Sequence, residues 1–268
     1  MNKKPVIGIS PNYSYETKEY SLHEDYVLAI EKAGGYPIAL LPHQELPDFL
    51  DGLLLTGGGD IDPLLFGEEP LHQSGEINPL RDAYEMRICQ EALEKDLPML
   101  GVCRGMQVMN IVTGGKIYQD IGVQAGTTLK HIQQAPRSYG THSIFVENNT
   151  LLTDLWENRR TIVNTLHHQS CSTLGKGFKA IARSADGLIE AIEHENCSFA
   201  VGVQWHPEAM KTEEMGLLFT AFLKAAADHK QKTGGNSTWK YSTILSLPQT
   251  AMLSPKNLVL VLSQKTLP

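Results

Sequence analysis

The sequence predicts an α/β fold: a doubly wound, mostly parallel central sheet with helices on both faces and an added antiparallel β portion in the second half. Three observations carry this. Short, wholly apolar runs alternate with segments of helical period through the first 112 residues. Buried strands separated by helices imply a parallel sheet covered on both faces, and two of the runs pass into the turns Gly57-Gly58-Gly59 and Cys103-Arg104-Gly105. Beyond residue 140 the helical period gives way to short strand-like segments separated by turn dipeptides.

Taken in order, Pro5 to Ser10 is short and apolar and reads as a first strand. Glu24 to Ala33 has helical spacing, and Gly34-Gly35 stops it. Tyr36 to Leu41 reads as a second strand, followed by a loop from Pro42 to Pro47. Phe49 to Thr56 is a buried strand that runs into Gly57-Gly58-Gly59-Asp60. Arg81 to Lys95 is a long helix with Met86, Cys89, Ala92 and Leu93 on one side. Pro98 to Val102 is an apolar strand, and a helix follows from Gly105 to Val112. Strands are expected at Ser143 to Val146, Ile162 to Asn164, Phe178 to Ser184, Ile189 to Glu193 and Ala200 to Gln204. Asn148-Asn149 and Asp186-Gly187 supply turns between them. A last helix spans Glu213 to Asp228.

The 268 residues are 41% hydrophobic, which excludes a mostly disordered chain. The net charge of −7 argues against a nucleic-acid or anionic-membrane partner held by bulk electrostatics. No apolar run approaches the ~20 residues needed to span a bilayer, and the opening segment is too brief to serve as a signal peptide. A cytoplasmic location is expected. Residues 231–268 differ in character. They hold Lys232, Lys240, Lys256 and Lys265 and no acidic residue, so subtracting their +4 from −7 leaves −11 on residues 1–230. The expected organisation is one domain over 1–230 and a poorly ordered tail over 231–268, with an interface arm or extra edge strand as the alternative.

The four cysteines, Cys89, Cys103, Cys171 and Cys197, form no CxxC pair and no cluster of zinc-finger spacing, so free thiols are expected. Cys89 lies inside an amphipathic helix and reads as core. Cys103 stands apart, because it sits between an apolar strand and a helix in Gly101-Val102-Cys103-Arg104-Gly105. A sharp strand-to-helix turn pushes a side chain clear of the backbone, and the helix N-terminus favours thiolate. The backbone N–H of Arg104 is placed to donate to an oxyanion.

A cysteine nucleophile needs an imidazole and a group to orient it. Among ten histidines, His206 is delivered at the carboxyl end of an apolar strand, where doubly wound sheets place their sites. Glu208 lies two residues on, on the same side if the backbone is extended, with Pro207 stiffening the pair. The other reading of this segment is a solvated surface turn. The glycine run at 57–59 can present N–H groups to an anion or form a plain tight turn, and it lacks the pattern of a P-loop.

Together, Leu-Thr-Gly-Gly-Gly-Asp (55–60), Gly-Val-Cys-Arg-Gly-Met-Gln (101–107) and Gly-Val-Gln-Trp-His-Pro-Glu (202–208) resemble the class I glutamine amidotransferase-like superfamily, whose sheet is flavodoxin-like. Within it the chain is similar to the stand-alone γ-glutamyl hydrolases of peptidase family C26, notably those acting on γ-glutamyl-γ-aminobutyrate. The features are the Cys-Arg-Gly form of the turn, the run Arg81-Asp82-x-x-Glu85, and Val163-Asn164-Thr165-Leu166-His167-His168-Gln169. The resemblance covers residues 5 to 228. It implies a triad of Cys103, His206 and Glu208, and an oxyanion hole from the N–H groups of Gly58 and Arg104, with Gly59 as a further member. It also implies that Gln107 helps to hold a γ-glutamyl head group and that His168 and Gln169 line the pocket. For His167 and His168 the alternative is a pair of hydrogen-bonded, partly buried imidazoles. For Arg81, Asp82 and Glu85 it is a capped helix start with its own ion pairs.

The implied reaction is hydrolysis of a γ-glutamyl amide through a cysteine thioester, with a small-molecule substrate, no cofactor and no metal. A homodimer is one expected assembly. Rival readings are a glutaminase subunit that feeds a separate synthase, and a non-catalytic binding module on the same scaffold. The leaving amine depends on pocket-shaping loops over 60–79 and 122–140, which sequence does not build.

Overall fold

The computed structural model describes residues 4–42 and 45–232. The expected tail from 233 onward lies outside the described residues, as do two residues of the 42–47 loop.

In chain order the elements are β1 (Val6–Ile9), β2 (Asn12–Ser14), β3 (Glu19–Ser21), α1 (Glu24–Lys32), β4 (Tyr36–Ala39), β5 (Gly52–Leu55), α2 (Pro79–Glu94), β6 (Met99–Val102), α3 (Arg104–Val112), β7 (Lys116–Tyr118) and α4 (Ile121–Gln124). There follow β8 (His142–Val146), α5 (Leu151–Leu155), β9 (Arg160–Val163), β10 (Ser170–Thr173), β11 (Phe178–Ser184), β12 (Ile189–His194), β13 (Ala200–Val203) and α6 (Glu213–Lys232). The last helix therefore continues past the expected Asp228 into the first residues of the expected tail.

Nine strands form one sheet in the order β4-β1-β5-β6-β13-β12-β11-β8-β9. From β4 to β13 neighbours run parallel. From β13 to β9 they run antiparallel. The mostly parallel sheet with an added antiparallel part is thus as the sequence predicts. Two small pairs, β2 with β3 and β7 with β10, escape a sequence reading because three- and four-residue strands show too little periodicity.

Alternating residues of the central strands feed two cores. Leu54, Leu100, Val102, Val201 and Val203 pack with Tyr26 and Ile30 of α1 and Leu218, Phe219 and Phe222 of α6. Leu53, Leu55 and Met99 pack with Ile88 and Cys89 of α2 and Met106 and Met109 of α3 on the opposite face. Burial on both faces explains why these strands read as continuous apolar runs. Met86, Cys89, Ala92 and Leu93 of α2 all meet the second core, Cys89 and Ala92 buried and Met86 and Leu93 partly so, and at the start of the helix Arg81, Asp82 and Glu85 are enclosed as well. The first turns of this helix face a polar site rather than the core.

Register positions the functional segments. Gly101 pairs with Gly202 and Val102 with Val203, while Leu55 pairs with Gly101 on the other side. Hence β5, β6 and β13 are neighbours, and the glycine run, Cys103 and His206 all leave the sheet at its carboxyl edge.

Candidate active site

Cys103 occupies the turn between β6 and α3 with φ +52° and ψ −107°, a conformation that side-chain-bearing residues rarely adopt. Its N–H donates to the Val203 carbonyl at 2.7 Å, and its carbonyl accepts from Met106 at 3.1 Å. The turn can close because Gly105 is bare: a Cβ there would overlap the Leu55 carbonyl oxygen. The glycine spacing around the cysteine is thus a packing requirement as well as a signature.

His206 follows β13. Its Nδ1 donates to Glu208 Oε1 at 2.7 Å. The two side chains meet through a 3₁₀ turn over Pro207–Ala209, not through extended backbone as the sequence reading assumes. All three members of the expected triad are nearly enclosed. A Cβ on Gly57 would touch both the His206 imidazole and the Cys103 Cβ, so the glycine run lies directly over the pair.

The electrostatics are those of an ion-paired chain. Burial opposes the Cys103 thiolate, but the His206 charge and hydrogen bond, with smaller help from His167 and the Arg104 N–H, hold the thiol below its ordinary range. Burial opposes the charged imidazole of His206, yet Glu208 and Cys103 together raise it to about 10. Burial likewise works against the Glu208 carboxylate, and His206 and Arg137 overcome it and keep the group below the usual carboxylate range.

Residues the sequence did not single out complete the arrangement. Arg137 Nη2 donates to Glu208 Oε1 at 3.0 Å. Asn164 Oδ1 accepts from the His206 N–H at 2.8 Å, and Asn164 Nδ2 donates to the His206 carbonyl at 2.9 Å, so one amide clamps the histidine backbone from both sides. Gln204 Nε2 lies 3.5 Å from Cys103 Sγ, and Tyr26 accepts from the Gly57 N–H at 2.9 Å. Gln204 and Asn164 fall inside the sequence motifs and so had a signal. Arg137 and Tyr26 sit in segments without one.

The other expected site residues fall as follows. Arg104 opens α3, with its backbone beside Cys103. Its buried guanidinium pairs with Asp82 and Glu85. Arg81 pairs with Glu85 at 2.8 Å and donates to the Thr56 and Gly57 carbonyls at 3.1 and 2.9 Å. The Arg81-Asp82-Glu85 run is a capped helix start with an internal ion pair, and it also extends beneath the glycine run and the cysteine turn. Gly58 packs on the Arg81 guanidinium, and Gly59 backs onto the Glu76 carbonyl. Beside Gly59 lies a small polar recess walled by Asn12, Tyr13, Asp60 and Asn78. Gln107 is buried and donates to Gln204 Oε1 at 3.2 Å. His168 is partly exposed between Asp60, at 2.9 Å, and Asp120, at 3.4 Å. The Asp60 hydrogen bond chiefly raises its pKa. Gln169 is buried and donates to the Gln119 carbonyl.

A mostly parallel α/β sheet whose carboxyl edge gathers a cysteine, a histidine and a glutamate from adjacent strands places the chain among the class I glutamine amidotransferase-like proteins. The Peptidase C26 family model matches residues 5–208, and the chain belongs to that family. The γ-glutamyl-γ-aminobutyrate hydrolase PuuD of Escherichia coli is 35% identical over 244 residues, covering 84% of this chain and 94% of its own. A glutamine amidotransferase-like protein of Rickettsia prowazekii is 32% identical, covering 84% and 99%. A Thermoplasma acidophilum crystal structure described as one component of a GMP synthase superposes with a TM-score of 0.61 at 16% identity, over 87% of this chain and 99% of that one, which establishes likeness of fold. Among the described residues no helix is long and apolar enough to cross a membrane.

Proposed function

We propose that the protein hydrolyses a γ-glutamyl amide bond, releasing glutamate and a free amine, with γ-glutamyl-γ-aminobutyrate or a related γ-glutamyl amine as substrate. The observation that carries this is the Cys103, His206, Glu208 chain at the carboxyl edge of the sheet, with the thiol held low and the imidazole held high. The family and the activity named for the E. coli relative support the choice of bond.

In this reading the Cys103 thiolate attacks the γ-carbonyl carbon. The charge that develops on the carbonyl oxygen is taken by the N–H groups of Arg104 and Gly58, with Gly59 beside them. One such donor is worth about 10²–10³ in rate. The His206 imidazolium gives its proton to the departing amine, leaving a γ-glutamyl thioester and a neutral imidazole. That imidazole takes a proton from water, the hydroxyl adds to the thioester carbonyl, and glutamate leaves with thiolate and imidazolium restored. Glu208 fixes the tautomer and stabilises the cationic ring. Gln107, His168, Gln169 and the recess beside Gly59 are assigned to substrate binding.

The test is a panel of γ-glutamyl amides, including γ-glutamyl-γ-aminobutyrate and glutamine, read by glutamate release beside Cys103→Ala. Turnover of at least one amide, absent from the variant, is expected. Glutamine hydrolysis that appears only with an added synthase would move the assignment to a glutaminase component, in line with the amidotransferase-like names of several relatives. Activity surviving in Cys103→Ala would overturn it.

A further inference from the structure

Near the cysteine, with which His167 interacts electrostatically, a second set of titratable groups is enclosed. Glu190, on β12, is fully buried, and neither of its carboxylate oxygens has a hydrogen-bond partner among the described residues. Three imidazole nitrogens face its Oε1: His131 Nδ1 at 3.6 Å, His167 Nε2 at 3.6 Å and His142 Nε2 at 3.7 Å. One ligand atom from each of His131, His167 and Glu190 lies within 4.8 Å of the others.

The positions of the ring protons follow from the partners on the other side. His167 Nδ1 lies 2.8 Å from the Gln169 carbonyl, which can only accept, so its proton is there. His131 Nε2 lies 3.1 Å from Asp186 Oδ2, which likewise accepts. Each ring, if neutral, has spent its single N–H and turns a bare lone pair toward Glu190. Thr165 Oγ1, 3.5 Å from His131 Nδ1, supplies no hydrogen, because its own proton goes to the His131 carbonyl at 2.9 Å. Doubly protonated rings would close on the carboxylate at about 2.7–2.9 Å, as charge-assisted hydrogen bonds do. Separations of 3.6–3.7 Å are too long for that. They are close to the edge of a tetrahedron built from metal bonds of about 2.0–2.2 Å, roughly 3.3–3.5 Å.

We propose that His131, His167 and Glu190 bind a divalent transition ion of the zinc class. Two imidazoles and one carboxylate suit zinc and its neighbours, not magnesium or calcium, which take mainly oxygen ligands. The Asp186 carboxylate and the Gln169 carbonyl are the kind of outer partners that orient metal-binding histidines. Because the ligands are buried, the ion would tie the loop before β8, the segment after β9 and strand β12 into one unit beside Cys103. The sequence reading finds no ligand cluster because these residues are scattered from position 131 to position 190 and converge only through the antiparallel half of the sheet. This inference does not depend on the hydrolase assignment.

The experiment uses the full chain without a histidine tag. Elemental analysis after dialysis without chelator is expected to find close to one transition ion per chain. Chelation should lower the melting temperature, and zinc should restore it. Cys103→Ala should keep the ion, which separates this site from metal bound adventitiously by the catalytic thiolate. Glu190→Gln should lose it. If that variant does not fold, His131→Asn serves instead and should weaken retention about tenfold or more. A wild-type chain that neither retains a transition ion nor gains stability with added zinc overturns the proposal. So does an ion lost in Cys103→Ala but kept in Glu190→Gln.

Discussion

At the scale of single residues, Glu208 and Arg137 decide how long the site stays ion-paired as pH changes. The imidazole of His206 is cationic below its pKa, which the glutamate and the thiolate raise to about 10 against the opposing effect of burial. In the proposed mechanism the competent free enzyme carries thiolate and imidazolium together, so rate is expected to fall on the alkaline side when His206 gives up its proton and on the acid side when Cys103 gains one. Glu208→Gln keeps the shape of the side chain and removes the charge. It is expected to lower kcat/KM by about 10³–10⁴, by analogy with amide replacement of the orienting carboxylate in a serine triad. The alkaline limb of the profile should also move to lower pH, since the main support of the imidazolium is gone. A profile of unchanged position, with only a lower plateau, would show that the carboxylate does not stabilise the charged ring.

At the scale of elements, helix α2 clamps two loops at once. Arg81 reaches the Thr56 and Gly57 carbonyls under the glycine run, and Asp82 and Glu85 hold Arg104 at the start of α3. Burial works against the Glu85 carboxylate, and Arg104 and Arg81 more than offset it, keeping the group below its ordinary range. Removing one partner of such a network leaves an uncompensated buried cation, which costs about 3–5 kcal/mol. Glu85→Gln is therefore expected to lose stability of that order in chemical denaturation and to lower activity with it. Glu94→Gln, on an exposed turn of the same helix, should stay within about 0.5 kcal/mol of wild type. Equal stability of the two variants would show that the network is dispensable. This element also marks what sequence could and could not convey. The turn at Cys103 was legible because an apolar strand, a cysteine and flanking glycines are contiguous. The clamp was only half legible, since Arg81, Asp82 and Glu85 show helical spacing while their partner Arg104 lies beyond the end of the helix. Arg137 was not legible at all, because it sits in an irregular loop and acquires its role only from Glu208, 71 positions away.

At the scale of the whole molecule, one-dimensional signals specified the parallel half of the sheet better than the antiparallel half. Strands buried on both faces write themselves as unbroken apolar runs, as β5, β6 and β13 do. Strand β9 alternates exposed and buried residues over only four positions, and its pairing with β8 is a long-range choice that no local pattern encodes. The same asymmetry has a dynamic consequence. Strands β5, β6 and β13 are hydrogen-bonded on both edges and covered on both faces, so their amides can exchange with solvent only when the sheet itself opens. Strands β4 and β9 each close one end of the sheet and carry exposed residues, so local fraying suffices there. Native-state hydrogen exchange is expected to give amides of Leu54, Leu100 and Val201 protection equal to the global unfolding free energy, with β4 and β9 exchanging through smaller openings. Protection of β9 equal to that of β6 would mean that the antiparallel half unfolds only with the rest. Since His206 and Cys103 hang from β13 and β6, the expected gradient places the candidate catalytic pair on the last part of the molecule to come apart. Their mutual geometry then survives fluctuations that open the sheet at its edges.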